Sequence, residues 1–175
     1  MTNLSLPSSV ELISVHLPKT AGSTFGKILL PPIYPQNQIL YDYDNLPINI
    51  LIEQGKLRTE TRVIHGHFPA QKYREYCPYA KIVIWLRNPI NLLISLYYFG
   101  FSFTDRFFDA NHRYVVENKL SFSDFLNQPF THNIVSNDYA KGMKLTDFYF
   151  VGIQAFFREQ YFGQFLSRQS TIRQE

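Results

Sequence analysis

Strands alternating with helices along the 175-residue chain predict an α/β fold, P-loop-like and three-layered, with a central, mostly parallel sheet flanked by helices. Short apolar runs have the length and composition of buried strands, stretches of helical spacing separate them, and turn residues close each run. The length predicts one domain, residues 1–175, with its core over about 12–166.

Leu12–His16 (LISVH) reads as the first strand, followed by a Pro-Lys-Thr-Ala-Gly turn and a helix over Ser23–Leu30, which Pro31-Pro32 ends. Ile39–Tyr43 reads as a short strand and Pro47–Gln54 as a helix with proline in its first turn. Arg62–His67 and Lys81–Leu86 (KIVIWL) read as buried strands. In Pro89–Phe99, Ile90, Leu93, Ile94 and Tyr97 recur at helical spacing. Ser121–Asn127 opens as a capped helix, Phe148–Ile153 is a late strand, and Gln154–Leu166 a final amphipathic helix.

Composition narrows the class. With 45% hydrophobic and 18% charged residues, the chain is neither disordered nor fibrous. The single cysteine, Cys77, allows no internal disulfide and no cysteine-based zinc cage. No apolar run reaches the length of a membrane span, and the N-terminus lacks the pattern of a signal peptide, so the expectation is a soluble, cytoplasmic protein without membrane insertion. The net charge of +3 is too small to indicate nucleic-acid binding. Between Lys56 and Arg87, however, seven basic residues face two acidic ones, Glu60 and Glu75. That bias is either a solvated basic surface or a field for an anionic ligand.

In open α/β sheets ligands bind beyond the carboxyl ends of the strands, which is where three chemical groups fall. The first is Pro18-Lys19-Thr20-Ala21-Gly22-Ser23-Thr24-Phe25. A turn here aims backbone N–H groups and a helix N-terminus at one point, Gly22 permits close approach, Ser23 and Thr24 add hydroxyls, and Lys19 adds charge. The turn departs from the P-loop pattern, since Lys19 precedes the only glycine; an ordinary helix cap is the alternative. The second group is Arg87 at a strand end and Ser95 about two helical turns later, a pair that can face one anion. Arg87 paired with a nearby carboxylate is the alternative. The third is His65-Gly66-His67, whose spacing puts both imidazoles on one side of a strand. Imidazole can take a proton from a hydroxyl near pH 7, though one of such a pair is often structural; a zinc site would need a third ligand, which no nearby cysteine or carboxylate provides.

In this order, the segments resemble the sulfotransferases that use 3′-phosphoadenosine 5′-phosphosulfate (PAPS), and within them the carbohydrate branch that includes heparan sulfate 2-O-sulfotransferase. HLPKTAGSTF is similar to that family's 5′-phosphosulfate loop and VIWLRNPINLLISLYYF to its 3′-phosphate motif. HGHF resembles the segment that supplies a histidine base in the 2-O branch. FVGIQAFFREQYFGQFL is similar to the family's late strand and helix, with Gln154 where glutamate is usual. The resemblance implies PAPS as cofactor, bound by Pro18 to Phe25 with Arg87 and Ser95, and no required metal. It implies catalysis by Lys19 on the leaving group and by His67 or His65 as base, with Glu60 or Glu75 as fallback. The partner is then a hydroxylated acceptor, a saccharide, and the base titrates with an apparent pKa of about 6–7. The missing membrane anchor and early end of the chain imply a soluble bacterial-type, minimal or truncated member. A P-loop kinase is disfavoured because KIVIWL ends in Arg87 rather than a magnesium-binding aspartate, with Asp42 a weak substitute. A non-catalytic nucleotide-binding relative is the other alternative.

Overall fold

The computed structural model describes residues 9–102 and 109–156. Five strands form one sheet: β1 (Leu12–Val15), β2 (Ile39–Asp42), β3 (Val63–Gly66), β4 (Lys81–Leu86) and β5 (Phe150–Ile153). Their spatial order is β2-β3-β1-β4-β5, and every pairing is parallel. The expected α/β class and P-loop-like layering therefore hold. The chain leaves β1 toward the β2–β3 side and later crosses to β4 on the other flank. The boundary between β1 and β4 is thus a topological switch point, where parallel sheets open a crevice at their carboxyl edge.

Alternation along the strands separates the two faces. On one, Ile13, Val15, Leu40, Ile64, Ile82 and Ile84 pack with Leu51 of α2 (Ile48–Glu53), Tyr73 of α3 (Gln71–Arg74), Phe68 and Cys77. On the other, Ile39, Val63, Val83 and Trp85 pack with Phe25 and Leu30 from the segment after β1. Both faces are covered, which is why the strands read as continuous apolar runs. Among the described residues no helix is long and apolar enough to cross a membrane.

The segment after β1 departs from the expected single helix over 23–30. A short α1 (Gly22–Thr24) opens into a π-helical turn, Phe25–Leu29, closed by Leu30 N–H donating to Phe25 O at 3.0 Å. The turn sets Gly26 against the buried His65 ring, and the Tyr41 hydroxyl donates to Gly26 O at 2.8 Å. Helix α4 (Pro89–Phe101) begins where expected because Asn88 Oδ1 accepts from the Ile90 and Asn91 amides and Pro89 occupies the first turn. Helix α6 (Phe122–Leu126) is capped by Ser121, as its sequence predicts. Not anticipated was α5 (Ala110–Glu117), capped by Asp109 through the His112 amide. Strand β5 starts two residues later than expected. Of the final helix expected over 154–166, Gln154–Phe156 forms a 3₁₀ turn and the remainder lies outside the described residues.

The close approach of Gly26 to His65 generates a stability prediction. A methyl group at Gly26 would lie 2.3 Å from His65 Nε2 on a fully buried ring. Glycine to alanine in a helix ordinarily stabilises by roughly 0.5–1 kcal/mol, whereas overpacking costs about 1–3 kcal/mol, so the clash should win. Gly26→Ala is expected to lower the urea midpoint and Gly26→Ala/His65→Ala to recover part of the loss. An unchanged midpoint in the single variant contradicts the packing.

Candidate functional site

At the carboxyl edge of β1, β3 and β4 lies a cavity of about 540 Å³, lined by residues from five separate segments. From the turn after β1 come His16, Pro18, Lys19, Ala21, Gly22 and Ser23, with Lys27 one helical turn on. Arg87 closes β4, and Ser95 and Phe99 lie four residues apart on α4, on one helix face. Tyr43 and His67 follow β2 and β3. Lys19, Arg87, Ser95 and His67, singled out separately in the sequence, are thus brought into one cavity.

The turn is conformationally unusual. Lys19 and Ala21 have φ of 66° and 68°, a left-handed conformation that side-chain-bearing residues adopt at a cost of about 1–2 kcal/mol each. The surroundings hold it. Thr20, fully buried, donates its hydroxyl to Leu17 O at 2.7 Å. Arg87 Nη1 donates to Lys19 O at 3.0 Å, tying the ends of β1 and β4 together. The Lys19 ammonium lies 4.0 Å from the Phe99 ring centroid, a cation–π contact. Arg87 therefore has a carbonyl partner here, not the carboxylate weighed as its alternative. Thr20 and Phe25, expected with the loop as ligand-binding, are buried: Thr20 pins the turn, and Phe25 packs on Trp85 and His65. Thr24 does not line the cavity.

The histidines form a larger cluster than the sequence led us to expect. His65 Nδ1 and Ser14 Oγ are 2.9 Å apart across the β1–β3 register, and His67 Nε2 and His16 Nδ1 are 3.2 Å apart. His16 stacks on His65 with centroids 5.2 Å apart and meets His67 edge-on at 4.5 Å. Tyr43 meets the His67 ring at 5.1 Å, and its buried hydroxyl has no hydrogen-bond partner. His65 is fully buried beneath Gly26 and does not line the cavity, whereas His67 does. The missed member is His16, from the segment that leads into the turn after β1. In the sequence it reads only as the last residue of the strand Leu12–His16 and the first of HLPKTAGSTF.

Burial holds these rings neutral. It pushes His16 down to about 3, with help from the charges of His67, His65 and Lys27. It pushes His65 down to about 4, with His67 adding to the effect. His67 is lowered from 6.5 by burial. For His67, the expected base, desolvation of the imidazolium thus acts toward the lower part of the expected range of about 6–7 or beneath it. Although the third imidazole supplies what the pair lacked, no group of three or more His, Cys, Asp or Glu among the described residues is arranged to hold a metal ion.

The carboxylates considered as substitutes lie elsewhere. Glu60 precedes β3, at the amino edge of the sheet, and Glu75 is exposed at the end of α3. Asp42 ends β2 but is buried, pairing with Lys72 and accepting hydrogen bonds from the Tyr73 hydroxyl (2.8 Å) and the Leu46 amide (3.3 Å). A carboxylate so committed is a structural anchor, not a magnesium ligand in the cavity.

The parallel sheet, the switch-point cavity and the turn after β1 define an α/β protein of P-loop-like fold with a site suited to an anion. No family model and no curated protein matches the sequence. Among solved structures, it is similar to the crystal structure of the mouse sulfotransferase SULT7A1 complexed with PAP, with a TM-score of 0.46 and 13% sequence identity. The likeness covers 96% of this chain and 58% of that one, so the chain spans less than two thirds of that structure.

The neutral histidines predict an acid-sensitive fold. Below pH 6.5 the unfolded chain protonates His16 and His65, while the folded chain resists until about 3 and about 4. Stability is thus full above pH 6.5 and falls as the pH drops, by up to roughly 1.4 kcal/mol per pH unit for each ring. Urea titrations at pH 7 and 5 should show this loss, and His65→Asn should reduce its slope. Equal stability at both values contradicts the assignment.

Proposed function

We propose that the protein transfers a sulfuryl group from PAPS to an acceptor hydroxyl, with a saccharide as the acceptor class. The observation that carries this reading is the convergence of Lys19, Arg87, Ser95 and His67 on one cavity at the switch point. Two groups suited to anions, the turn after β1 and the Arg87/Ser95 pair, match a donor with phosphates at both its 3′ and 5′ positions. Among the described residues, Lys19, Lys27 and Arg87 line the cavity and no carboxylate does, which favours an anionic donor. The resemblance of HGHF to the 2-O branch supports the saccharide.

In this reading the 5′-phosphosulfate lies on residues 18–25, with Pro18, Lys19, Ala21, Gly22 and Ser23 facing it and Thr20, Thr24 and Phe25 shaping the turn. The 3′-phosphate lies between Arg87 and Ser95. The acceptor oxygen attacks sulfur in line with the bond between sulfur and the bridging oxygen. As the new S–O bond forms, that bond breaks, and the electron pair stays on the 5′-phosphate of departing 3′,5′-adenosine bisphosphate. His67 takes the hydroxyl proton, and Lys19 stabilises the charge that grows on the bridging oxygen. Tyr43 packs edge-on against His67 and helps to hold its ring. His65, behind His16, supports the cluster from beneath. The single domain over 1–175 is part of the same reading.

Calorimetry should show 3′,5′-adenosine bisphosphate binding far more tightly than 5′-AMP, and Arg87→Ala should erase that preference. Equal affinities for the two nucleotides in the wild-type protein would sink the donor assignment.

Sulfate transfer from PAPS across a panel of hydroxylated acceptors tests the chemistry. Lys19→Ala should lower kcat by roughly 10²–10³-fold. His67→Ala should lower it by roughly 10²–10⁴-fold with nucleotide affinity nearly intact. The acid limb of the wild-type profile should fall below pH 6.5, because burial lowers His67. Tight nucleotide binding with no turnover on any acceptor identifies a non-catalytic binder instead.

A further inference from the structure

The contact between His16 and His67 has no role in the reading above, although it joins the proposed base to the strand that precedes the anion-binding turn. His16 is only 6% exposed, and three neighbours fix its ring. His65 stacks on one side, itself oriented by Ser14 at 2.9 Å. Gly22 lies so close that a Cβ there would fall 1.9 Å from His16 Cδ2 and 2.4 Å from its Nε2. Tyr43 meets the ring nearly at right angles, with centroids 5.9 Å apart. A ring caged in this way can fix the orientation of a partner that reaches it, and His67 reaches it through Nε2 at 3.2 Å from His16 Nδ1.

A hydrogen bond between two neutral imidazoles admits two proton arrangements. If His16 Nδ1 carries the proton, His67 Nε2 accepts it, and the remaining His67 proton sits on Nδ1. His67 then has no lone pair free for an acceptor hydroxyl. In the reverse arrangement His67 Nε2–H donates to His16 Nδ1, and His67 Nδ1 is left bare and basic. His16 then carries its own proton on Nε2, beside Gly22 at the start of α1. An anion bound at that turn accepts hydrogen bonds and donates none, so it favours this second arrangement.

We propose that His16 is a positioning residue, accepting a hydrogen bond from His67 Nε2–H on its Nδ1 and so leaving His67 Nδ1 as the nitrogen that takes the acceptor's proton. This inference rests on the assignment of His67 as base. Once His67 is protonated, the same bond holds the imidazolium in place, a role that an oriented acceptor performs without itself changing protonation state. The titratable and charged groups that bear on the pair are His65 from β3, Tyr43 after β2, and Lys27, Lys19 and Arg87 around the cavity. Among the described residues that line the cavity there is no carboxylate to take the role of His16.

The test is imidazole nitrogen NMR on the full chain at neutral pH, free and with 3′,5′-adenosine bisphosphate, combined with PAPS kinetics. The wild-type protein should show His67 as the Nε2–H tautomer. His16→Ala should abolish that bias and lower kcat about 10²-fold, the scale of loss for a misplaced reacting group, beyond any weakening of nucleotide binding from the lost Nε2–H. His16→Asn, whose Oδ1 replaces Nδ1 as an acceptor at the same distance from the backbone, should restore both the tautomer and most of kcat. A wild-type His67 with its proton on Nδ1 overturns the proposal, as does a tautomer bias that survives His16→Ala. The wild-type spectrum decides even if the alanine variant fails to fold. A correct tautomer that depends on His16, in a protein that transfers no sulfate, leaves the pairing standing and removes the sulfotransferase reading instead.

Discussion

The segment after β1 lies on the sheet only because Gly22 and Gly26 present no side chain to His16 and His65. A Cβ at either position would fall within 2.4 Å of ring atoms, inside any tolerable contact. Four residues apart, the two glycines share one helix face and let the backbone rest on the imidazoles. Much else depends on that approach. It brings the turn at Lys19–Ala21 over the carboxyl end of β1, carries Phe25 into the cluster with Trp85, and seals His16 and His65 from water.

Sealing the histidines has an electrostatic consequence. Desolvation disfavours the imidazolium, so three rings that share a small volume remain neutral, and each would repel the others if charged. A cluster of neutral imidazoles can exchange protons with a ligand and with one another while adding no net charge to the cavity. The cations around it come from Lys19, Lys27 and Arg87, which attract an anion without charging the histidines themselves. In the proposed reaction, acid-base chemistry and anion recognition therefore fall to separate residues of one cavity.

The bond from Arg87 to the Lys19 carbonyl has a comparable role on the other side of the switch point. It couples the two strand ends whose loops are proposed to hold opposite ends of one donor. It also offsets part of the cost of the left-handed conformation at Lys19 and Ala21. Buried Asp42, with Lys72 and Tyr73, anchors the neighbouring end of β2 in the same structural sense.

The amino-acid sequence by itself determined the parallel α/β class, the start of α4 and the placement of Lys19, Arg87 and His67 after strands. All of these follow from local rules: strands buried on both faces read as apolar runs, Asn88-Pro89 caps a helix, and the connections of a parallel sheet deliver loops to one edge. The strand order, the π-turn at Phe25–Leu29 and α5 were not legible, since each depends on contacts far along the chain or on a cap that many sequences share. The site was legible residue by residue but not in its internal ranking. His65 and His67 look equivalent at i and i+2, yet His65 lies under Gly26 and His67 opens to the cavity, because the sheet ends between them and the π-helical turn covers only the first. His16 could not be recognised as the partner of His67, since 51 residues separate them and only the parallel pairing of β1 with β3 sets their ends side by side. Local chemistry determines which groups a segment can offer, and the register between distant strands decides which of them meet.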